Sequence, residues 1–149
     1  MKDQYWAKMV PELYVSDIEK SCKFYVDQLG FKLLYERPES NFKCVVFQQI
    51  KIMLDEYDAD DSDSWIVGEL EKPYGRGVNF QMEIENIDEL YDRVKKHNIE
   101  IFLDMHLAEY RVDNKLSRLK QFLIVDPDGY LLRFMECLGK FDIDEEKRT

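Results

Sequence analysis

Two stretches of similar sequence decide the fold: VSDIEK at residues 15–20 and IENIDE at residues 84–89. In each stretch an apolar residue precedes a short polar residue, and an isoleucine and an acidic residue follow. Asp17 and Asn86 are the predicted N-caps, because their side chains can accept hydrogen bonds from the first amides of a helix. Glu89 stands three residues after Asn86, as a capping box requires. The repeat therefore predicts two equivalent helices, one in each half of the chain.

Apolar residues continue at helical spacing after both starts. The buried faces are predicted to carry Ile18, Cys22, Tyr25 and Leu29 in the first helix and Ile87, Leu90, Tyr91 and Val94 in the second. Gly30 and Asn98 follow these faces and can adopt the left-handed conformation that ends a helix.

Strand-like segments surround each helix in the same order, β-α-β-β-β. The predicted strands are 9–15, 31–36, 42–47 and 50–55 in the first half, and 78–84, 99–105, 120–125 and 130–136 in the second. The sequence DPDG at residues 126–129 is a strong turn signal between the last two strands. Residues 103–118 are interpreted as a long loop before this final hairpin.

The domain organisation follows from these elements. We predict an α+β protein in which two βαβββ repeats, residues 1–56 and 77–137, form curled mixed sheets within one structural domain. Residues 57–76, rich in Asp, Ser and Gly, are the predicted linker, and residues 138–149 are a predicted charged tail.

Alternation along four strands separates a fully apolar face from a mixed face. The apolar face is expected to lie under the helices, because helix and sheet must bury a surface together. If each sheet curls, the mixed face becomes a concave groove. Its predicted lining is Glu12, Tyr14, Lys51, Asp55, Asn79, Gln81, Glu83 and Arg133. The alternative is that these are ordinary solvent-facing residues of an open antiparallel sheet.

Composition restricts the class of partner. The formal net charge of −10 argues against nucleic acid, whose phosphates require a basic face, and tolerates a cationic ligand. The three cysteines lack metal-binding or CxxC spacing, which favours free thiols in a reducing compartment. The chain has no apolar run typical of a signal peptide or a membrane span. We therefore expect a cytoplasmic protein.

Two end motifs resemble those of the vicinal oxygen chelate superfamily, which has the glyoxalase/bleomycin resistance protein/dioxygenase fold. The first comprises VPELYVSD at 10–17, Phe24-Tyr25 and LGF at 29–31, and the second is QFLIVDPDGYLLRF at 121–134. The likeness spans about residues 9–137 and is strongest to metal-free members of the bleomycin-resistance type. It implies that the repeats curl into cups and that homodimers form the ligand clefts, with the halves paired within one chain or exchanged between two chains.

The resemblance also locates the positions at which enzymes of this superfamily hold a divalent metal. Here those positions fall on Val10, about Met53, Asn79 and Arg133. None is a good ligand for a hard or borderline cation. Asp55 lies close to the second position, but one carboxylate does not make a site. No metal and no other cofactor is therefore expected. Arg133 is expected to pair with Glu12 or Glu83, since an inward arginine needs a partner.

The predicted function is metal-independent binding and sequestration of an antibiotic-like small molecule, planar or cationic. Trp65 and Tyr110 would stack on the ligand, and Glu12, Asp55 and Glu83 would supply negative charge. Catalysis is not predicted. The alternative is a metal-dependent glyoxalase-like or dioxygenase-like lyase or oxidoreductase, with metal ligands that include Asp55 and His106. A third possibility is a dimeric scaffold without a ligand. His97 and His106 are otherwise expected on the surface.

Overall fold

The computed structural model describes residues 7–143. These residues form two compact units. Unit 1 comprises the described residues up to Arg76 together with Asp126–Tyr130, and unit 2 comprises Gly77–Val125 together with the described residues from Leu131 onward.

Unit 1 contains a four-stranded mixed sheet. Its elements are β1 (Glu12–Val15), α1 (Ile18–Cys22) continued by a π-helical segment (Lys23–Gln28), β2 (Lys32–Arg37), a 3-10 turn (Pro38–Ser40), β3 (Phe42–Phe47) and β4 (Ile50–Glu56). The strand order is β1-β4-β3-β2, with β1 and β4 parallel and the other pairs antiparallel.

Unit 2 repeats this arrangement. Its elements are β5 (Asn79–Glu83), α2 (Ile87–Lys96), β6 (Ile101–Val112), β7 (Lys115–Val125) and β8 (Leu131–Asp142). The strand order is β5-β8-β7-β6, again with one parallel pair. The prediction of an α+β fold built from two βαβββ repeats with mixed sheets is confirmed.

The first helix begins as predicted. The Asp17 carboxylate accepts hydrogen bonds from the amides of Glu19 and Lys20, each 3.1 Å long. A second carboxylate comes from the last strand of the same unit: Glu56 Oε2 accepts from the Ile18 amide at 2.9 Å. Two side chains therefore satisfy the amides that a helix start leaves without partners.

The second helix begins differently. Asn86 is the N-cap residue, as predicted, but it has a φ of 57° and its side chain makes no capping hydrogen bond, so the predicted side-chain cap and capping box are wrong. A left-handed backbone directs the side chain away from the helix amides, whereas an N-cap residue is normally extended. Instead, Glu136 Oε1 in β8 accepts from the Ile87 amide at 3.1 Å.

The helix ends match the sequence analysis and most of the predicted core is buried, although Cys22 and Tyr91 are only half-buried. Gly30 and Asn98 have φ values of 92° and 53°. The apolar strand faces are buried under the helices, and their best-buried members are Leu13, Val15, Ile52, Leu54, Met82, Leu132 and Phe134.

The end of unit 2 departs from the prediction. Residues 103–118 belong to the β6–β7 hairpin, whose register joins Val112 to Lys115 across a turn in which Asp113 has a φ of 56°. The predicted tail is also wrong at its start, because β8 extends to Asp142, opposite Lys115. The longer β7 offers β8 additional backbone partners. Residues 144–149 lie outside the described residues.

Membrane-spanning segments were sought in the described part of the chain. No helix there is both long enough and apolar enough to cross a bilayer.

Candidate functional site

A cleft of about 590 Å³ opens on unit 1. It lies at one end of the sheet, where β1 and β4 meet the β2–β3 connection and the segment after β4. Its charged lining residues are Glu12, Glu39, Asp55, Glu56, Asp58, Asp61 and Asp63, which are acidic, and Arg37, which is basic. Its aromatic lining residues are Tyr14, Phe42, Tyr57 and Trp65.

Strand pairing brings the central cleft residues together. Tyr14 in β1 is the register partner of Asp55 in β4, which in turn faces Phe42 in β3. Glu12 lies two residues earlier on β1, opposite Met53, and so projects from the same side of the sheet. Four predicted site residues therefore line this cleft, because Trp65 joins them from the segment that follows β4.

Glu12 and Asp55 form a carboxyl pair in the cleft. Burial raises the pKa of Glu12, and the charge of Asp55 and a hydrogen bond with it raise that pKa further. Burial also raises the pKa of Asp55, whereas its hydrogen bond with Glu12 lowers it. The pKa values of both carboxyl groups are therefore raised, and that of Glu12 is raised partly by its neighbour Asp55.

The aromatic residues of the cleft are held by polar and ring contacts, and Trp65 is the most exposed of them. The Trp65 amide donates to the Tyr14 hydroxyl oxygen at 2.9 Å, while the Trp65 side chain is 81% exposed. The rings of Tyr14 and Tyr57 meet edge to face at 6.4 Å. The Arg37 guanidinium lies 4.4 Å from the centre of the Phe42 ring. The cleft therefore offers an open indole face beside fixed carboxylates.

The fifth predicted residue of unit 1 lies elsewhere. Lys51 is near the start of β4, opposite Val46, and does not line the cleft.

The remaining predicted residues belong to unit 2. Asn79, Gln81 and Glu83 lie along β5 on one face and are exposed. In β8, Arg133 is the register partner of Gln81, and Glu83 faces Met135. These residues therefore share the sheet face that points away from α2.

Arg133 is part of a polar cluster around a buried amide. Arg133 Nε donates to Gln121 Oε1 at 2.9 Å, so its partner is not the carboxylate that the sequence analysis predicted. Gln121 Nε2 lies 2.8 Å from the Tyr110 hydroxyl and 3.0 Å from His106 Nε2. His106 is consequently half-buried rather than a surface residue. Sequence reasoning missed Gln121, although a lone polar residue in the run QFLIV was an available signal.

The residues at the superfamily's metal positions do not fit a divalent cation. Val10 has no side-chain donor, Met53 offers a soft thioether, and Asn79 a neutral amide. Arg133 places a positive charge where a ligand would have to stand. Within residues 7–143, no group of three or more His, Cys, Asp or Glu side chains is placed to hold a metal ion.

These features agree with the comparison to known proteins. The chain belongs to the Glyoxalase/Bleomycin resistance protein/Dioxygenase superfamily, whose family model matches residues 9–134. Within it, the chain is 30% identical over 135 residues to the bleomycin resistance protein of Geobacillus stearothermophilus, which covers 85% of this chain and 94% of that protein. A bleomycin resistance protein of Staphylococcus aureus matches with the same identity and coverage.

Solved structures show the same fold. TioX from Micromonospora sp. ML1 has a TM-score of 0.69 at 18% identity, covering 89% of this chain and 99% of that one. A glyoxalase/bleomycin resistance protein/dioxygenase from Alicyclobacillus acidocaldarius has a TM-score of 0.62 at 19% identity, covering 88% and 91%.

Proposed function

We propose that this protein binds and sequesters a planar, cationic, antibiotic-like small molecule in the unit 1 cleft, without a metal ion and without catalysis. The observation that carries the proposal is the combination, in one cleft of about 590 Å³, of seven carboxylates, one guanidinium and an exposed indole. The volume is of the size that holds a drug-sized ligand.

The charge of the cleft favours a cation. Each exposed carboxylate contributes only about 0–1 kcal/mol to a contact with an opposite charge. Several carboxylates around one opening nevertheless raise the local concentration of a cation and its association rate. The formal net charge of −10 acts in the same direction.

The aromatic residues favour a planar cation in particular. A flat ring can lie on the exposed face of Trp65, and a cation over an indole gains about 0.5–1 kcal/mol at an exposed site. The names of the bleomycin resistance relatives support an antibiotic as the ligand.

The test measures binding to the full chain at low salt. The probes are metal-free bleomycin, the planar cation ethidium and the planar anion fluorescein. We expect bleomycin or ethidium to bind and fluorescein to bind far more weakly. Tryptophan emission should change on binding in the wild type, and Trp65→Phe should remove that change. Absence of binding by both bleomycin and ethidium would contradict the proposal.

Variants locate the site. Glu12→Gln and Asp55→Asn should each weaken binding about two- to fivefold, because each removes one charge from the cleft. Asp92→Asn is the matched control, since it removes one exposed carboxylate from α2 in unit 2. Equal losses in all three variants would show that net charge, rather than the cleft, controls affinity.

Metal independence has its own measurement. Binding should be unchanged after treatment with a chelator, because the candidate donors do not fit a divalent metal. Metal analysis after mild purification should give substoichiometric zinc, nickel, manganese and iron. A stoichiometric metal would instead favour the lyase or oxidoreductase alternative.

We also propose that the protein acts as a cytoplasmic homodimer. Unit 2 exposes large apolar side chains on β6 and β8, including Leu107 at 67% and Leu138 at 45%. Exposed apolar surface of this kind is typical of association sites. Light scattering should give the mass of a dimer, and Leu107→Glu should reduce it. A wild-type monomer at all concentrations would contradict dimerisation without affecting the cleft.

A further inference from the structure

The polar cluster of unit 2 has a buried centre whose hydrogen-bonding groups are all engaged. Gln121 is 3% exposed. Its carbonyl accepts from Arg133 Nε, and its amino group donates to the Tyr110 oxygen and to His106 Nε2. His106 Nδ1 lies 2.8 Å from the Asp104 carbonyl and donates to it, which leaves Nε2 as the acceptor. One amide therefore fixes three side chains.

This arrangement leaves hydrogen-bond donors on Arg133 and Tyr110 that the buried Gln121 side chain does not use. The Tyr110 oxygen already accepts from Gln121, so the phenolic hydrogen is available to donate elsewhere. Only Nε of Arg133 is used by Gln121, and Arg133 has no ion-pair partner among residues 7–143. Its guanidinium carbon lies 5.5 Å from the centre of the Tyr110 ring, so the two sets of donors are neighbours.

We propose that Arg133 and Tyr110 form a binding site for the carboxylate group of an organic anion. A guanidinium presents two parallel N–H donors that match the two oxygens of a carboxylate. Gln121 and His106 are positioning residues, since they hold the donors without themselves facing the ligand. The site is built from unit 2 residues alone, takes the opposite charge to the cleft of unit 1, and does not depend on the function proposed above.

The surroundings favour a carboxylate carried on an apolar body. Leu123 is the register partner of Arg133, and Met135 is the partner of Gln121. Both are buried, so the apolar surface that remains open to a ligand beside the donors is the Tyr110 side chain, which is 43% exposed. Small inorganic anions would leave the Tyr110 ring uncovered.

The charged groups around the site limit its affinity. Glu83, opposite Met135 in β5, shares the face and repels an anion. The formal net charge of −10 does so at longer range, although salt near physiological concentration screens charges beyond about 8 Å. Binding must therefore come from direct contact with Arg133, and it should strengthen rather than weaken when moderate salt is added.

The test uses 2-naphthoate as the probe and 2-naphthylmethylammonium as the same ring with the opposite charge. Both are titrated into the full chain while the nitrogen-bound hydrogens of Arg133 Nε and Gln121 Nε2 are followed by NMR. We expect 2-naphthoate to shift both signals in a saturable manner. The ammonium probe should leave both signals in place.

Variants connect the shifts to the proposed donors. Arg133→Gln should weaken 2-naphthoate binding about tenfold or more, because it removes a charge-assisted pair of hydrogen bonds. Gln121→Glu keeps the side-chain shape but gives Arg133 an internal carboxylate, and it should weaken binding to a similar degree. Arg118→Gln is the matched control: Arg118 lies in the same hairpin, pairs with Glu109 at 2.8 Å, and should leave binding unchanged.

Two further measurements keep the proposal open to refutation if Arg133→Gln fails to fold. Arg133→Lys retains a charge but loses the planar pair of donors, and it should still bind several-fold more weakly. Tyr110→Phe should weaken binding by a smaller factor. Failure of 2-naphthoate to shift either signal up to about 10 mM would overturn the proposal. So would equal affinities of the wild type, Gln121→Glu and Arg133→Lys.

Discussion

A buried carboxyl group in unit 1 predicts an unusual dependence of stability on pH. Asp126 is 4% exposed and begins the turn between β7 and β8. Its carboxyl accepts from the Tyr25 hydroxyl at 2.8 Å and from the amides of Asp128 and Tyr130, each at 2.9 Å. Burial nevertheless outweighs these three donors and raises the pKa of Asp126 to about 6 from its ordinary 3.8.

The sign and size of the effect follow from this pKa. Between the ordinary value and about 6, the folded protein binds a proton at Asp126 that the unfolded chain has already lost. Asp126 therefore makes the free energy of unfolding fall as pH rises through this window, opposite to the effect of a salt-bridged carboxylate. A pKa raised by about 2 corresponds to about 3 kcal/mol in the free energy of unfolding. Asp126 makes this contribution in full below its ordinary pKa, and the contribution is lost above about pH 6.

Asp126→Asn removes this titration while keeping the side-chain shape. We would measure the free energy of unfolding in urea at intervals from about pH 4 to pH 8, taking the variant minus wild-type difference so that other carboxyl groups cancel. Relative to the wild type, the variant should become more stable with rising pH, by about 3 kcal/mol across the window. Tyr25→Phe should move the window upward, because it removes a donor that favours the carboxylate.

Asp60→Asn replaces an exposed aspartate of the same unit and should change the free energy of unfolding by less than about 0.5 kcal/mol. If the difference between Asp126→Asn and the wild type is flat from about pH 4 to pH 8, then burial does not outweigh the three hydrogen bonds and the argument is wrong.

Three other predictions concern a turn, a helix start and the cleft. Gly129→Ala should lower the free energy of unfolding by about 3 kcal/mol or more in urea titrations, because a Cβ at its φ of 91° would lie 2.4 Å from Pro73 Cβ. Gly77→Ala should lower it by only about 1 kcal/mol, because Gly77 has a similar φ of 84° but open space around it. Glu136→Ala should cost about 1 kcal/mol, because it removes the carboxylate that accepts from the first amide of α2, whereas Glu136→Gln should cost less. Ethidium affinity measured against pH should keep rising above the ordinary glutamate pKa of 4.5, because the raised pKa values of the carboxyl pair delay its ionisation; a flat profile would exclude that pair from the site.

Local patterns in the sequence were sufficient to predict most of the fold. The helices could be found because capping residues, helical spacing and a terminal glycine or asparagine all agreed. The start of α2 was predicted correctly but its capping side chain was not, because the cap comes from Glu136, some fifty residues away in sequence, and local sequence does not reveal such a partner. The outer part of the β6–β7 hairpin was missed because its residues gain strand structure from pairing with a long neighbour rather than from their own alternation.

The candidate site was only partly predictable for a similar reason. Alternation along β1 and β4 identified the side chains that point away from the helix-covered face. Three of them meet in the cleft: Glu12, Tyr14 and Asp55. The same alternation also selected Lys51, which lies beyond the cleft, because period two fixes the face but not the position along it. Gln121 was missed because its importance depends on neighbours in β6 and β8.

The helix-capping glutamates fix the equivalence of the two units. Glu56 and Glu136 each lie in the last strand of a repeat and accept from the first amide of its helix. Counting back three residues from each places Met53 and Arg133 at equivalent positions, and their partners in the parallel strand are Glu12 and Gln81. The two capping glutamates therefore settle the alignment of Met53 with Arg133, which the sequence pattern alone left uncertain by a residue or two.

This equivalence separates what maintains the fold from what sets the chemistry. The helix-covered face of each sheet must meet the same two requirements. It must supply a carboxylate that caps the helix and an apolar surface that packs under it. The opposite face has no such requirement. Met53 beside Glu12 in unit 1 corresponds there to Arg133 beside Gln81 in unit 2. Substitutions at Glu12 or Arg133 should therefore change ligand preference with little change in the free energy of unfolding, whereas loss of Glu136, which does not line the cleft, should do the reverse.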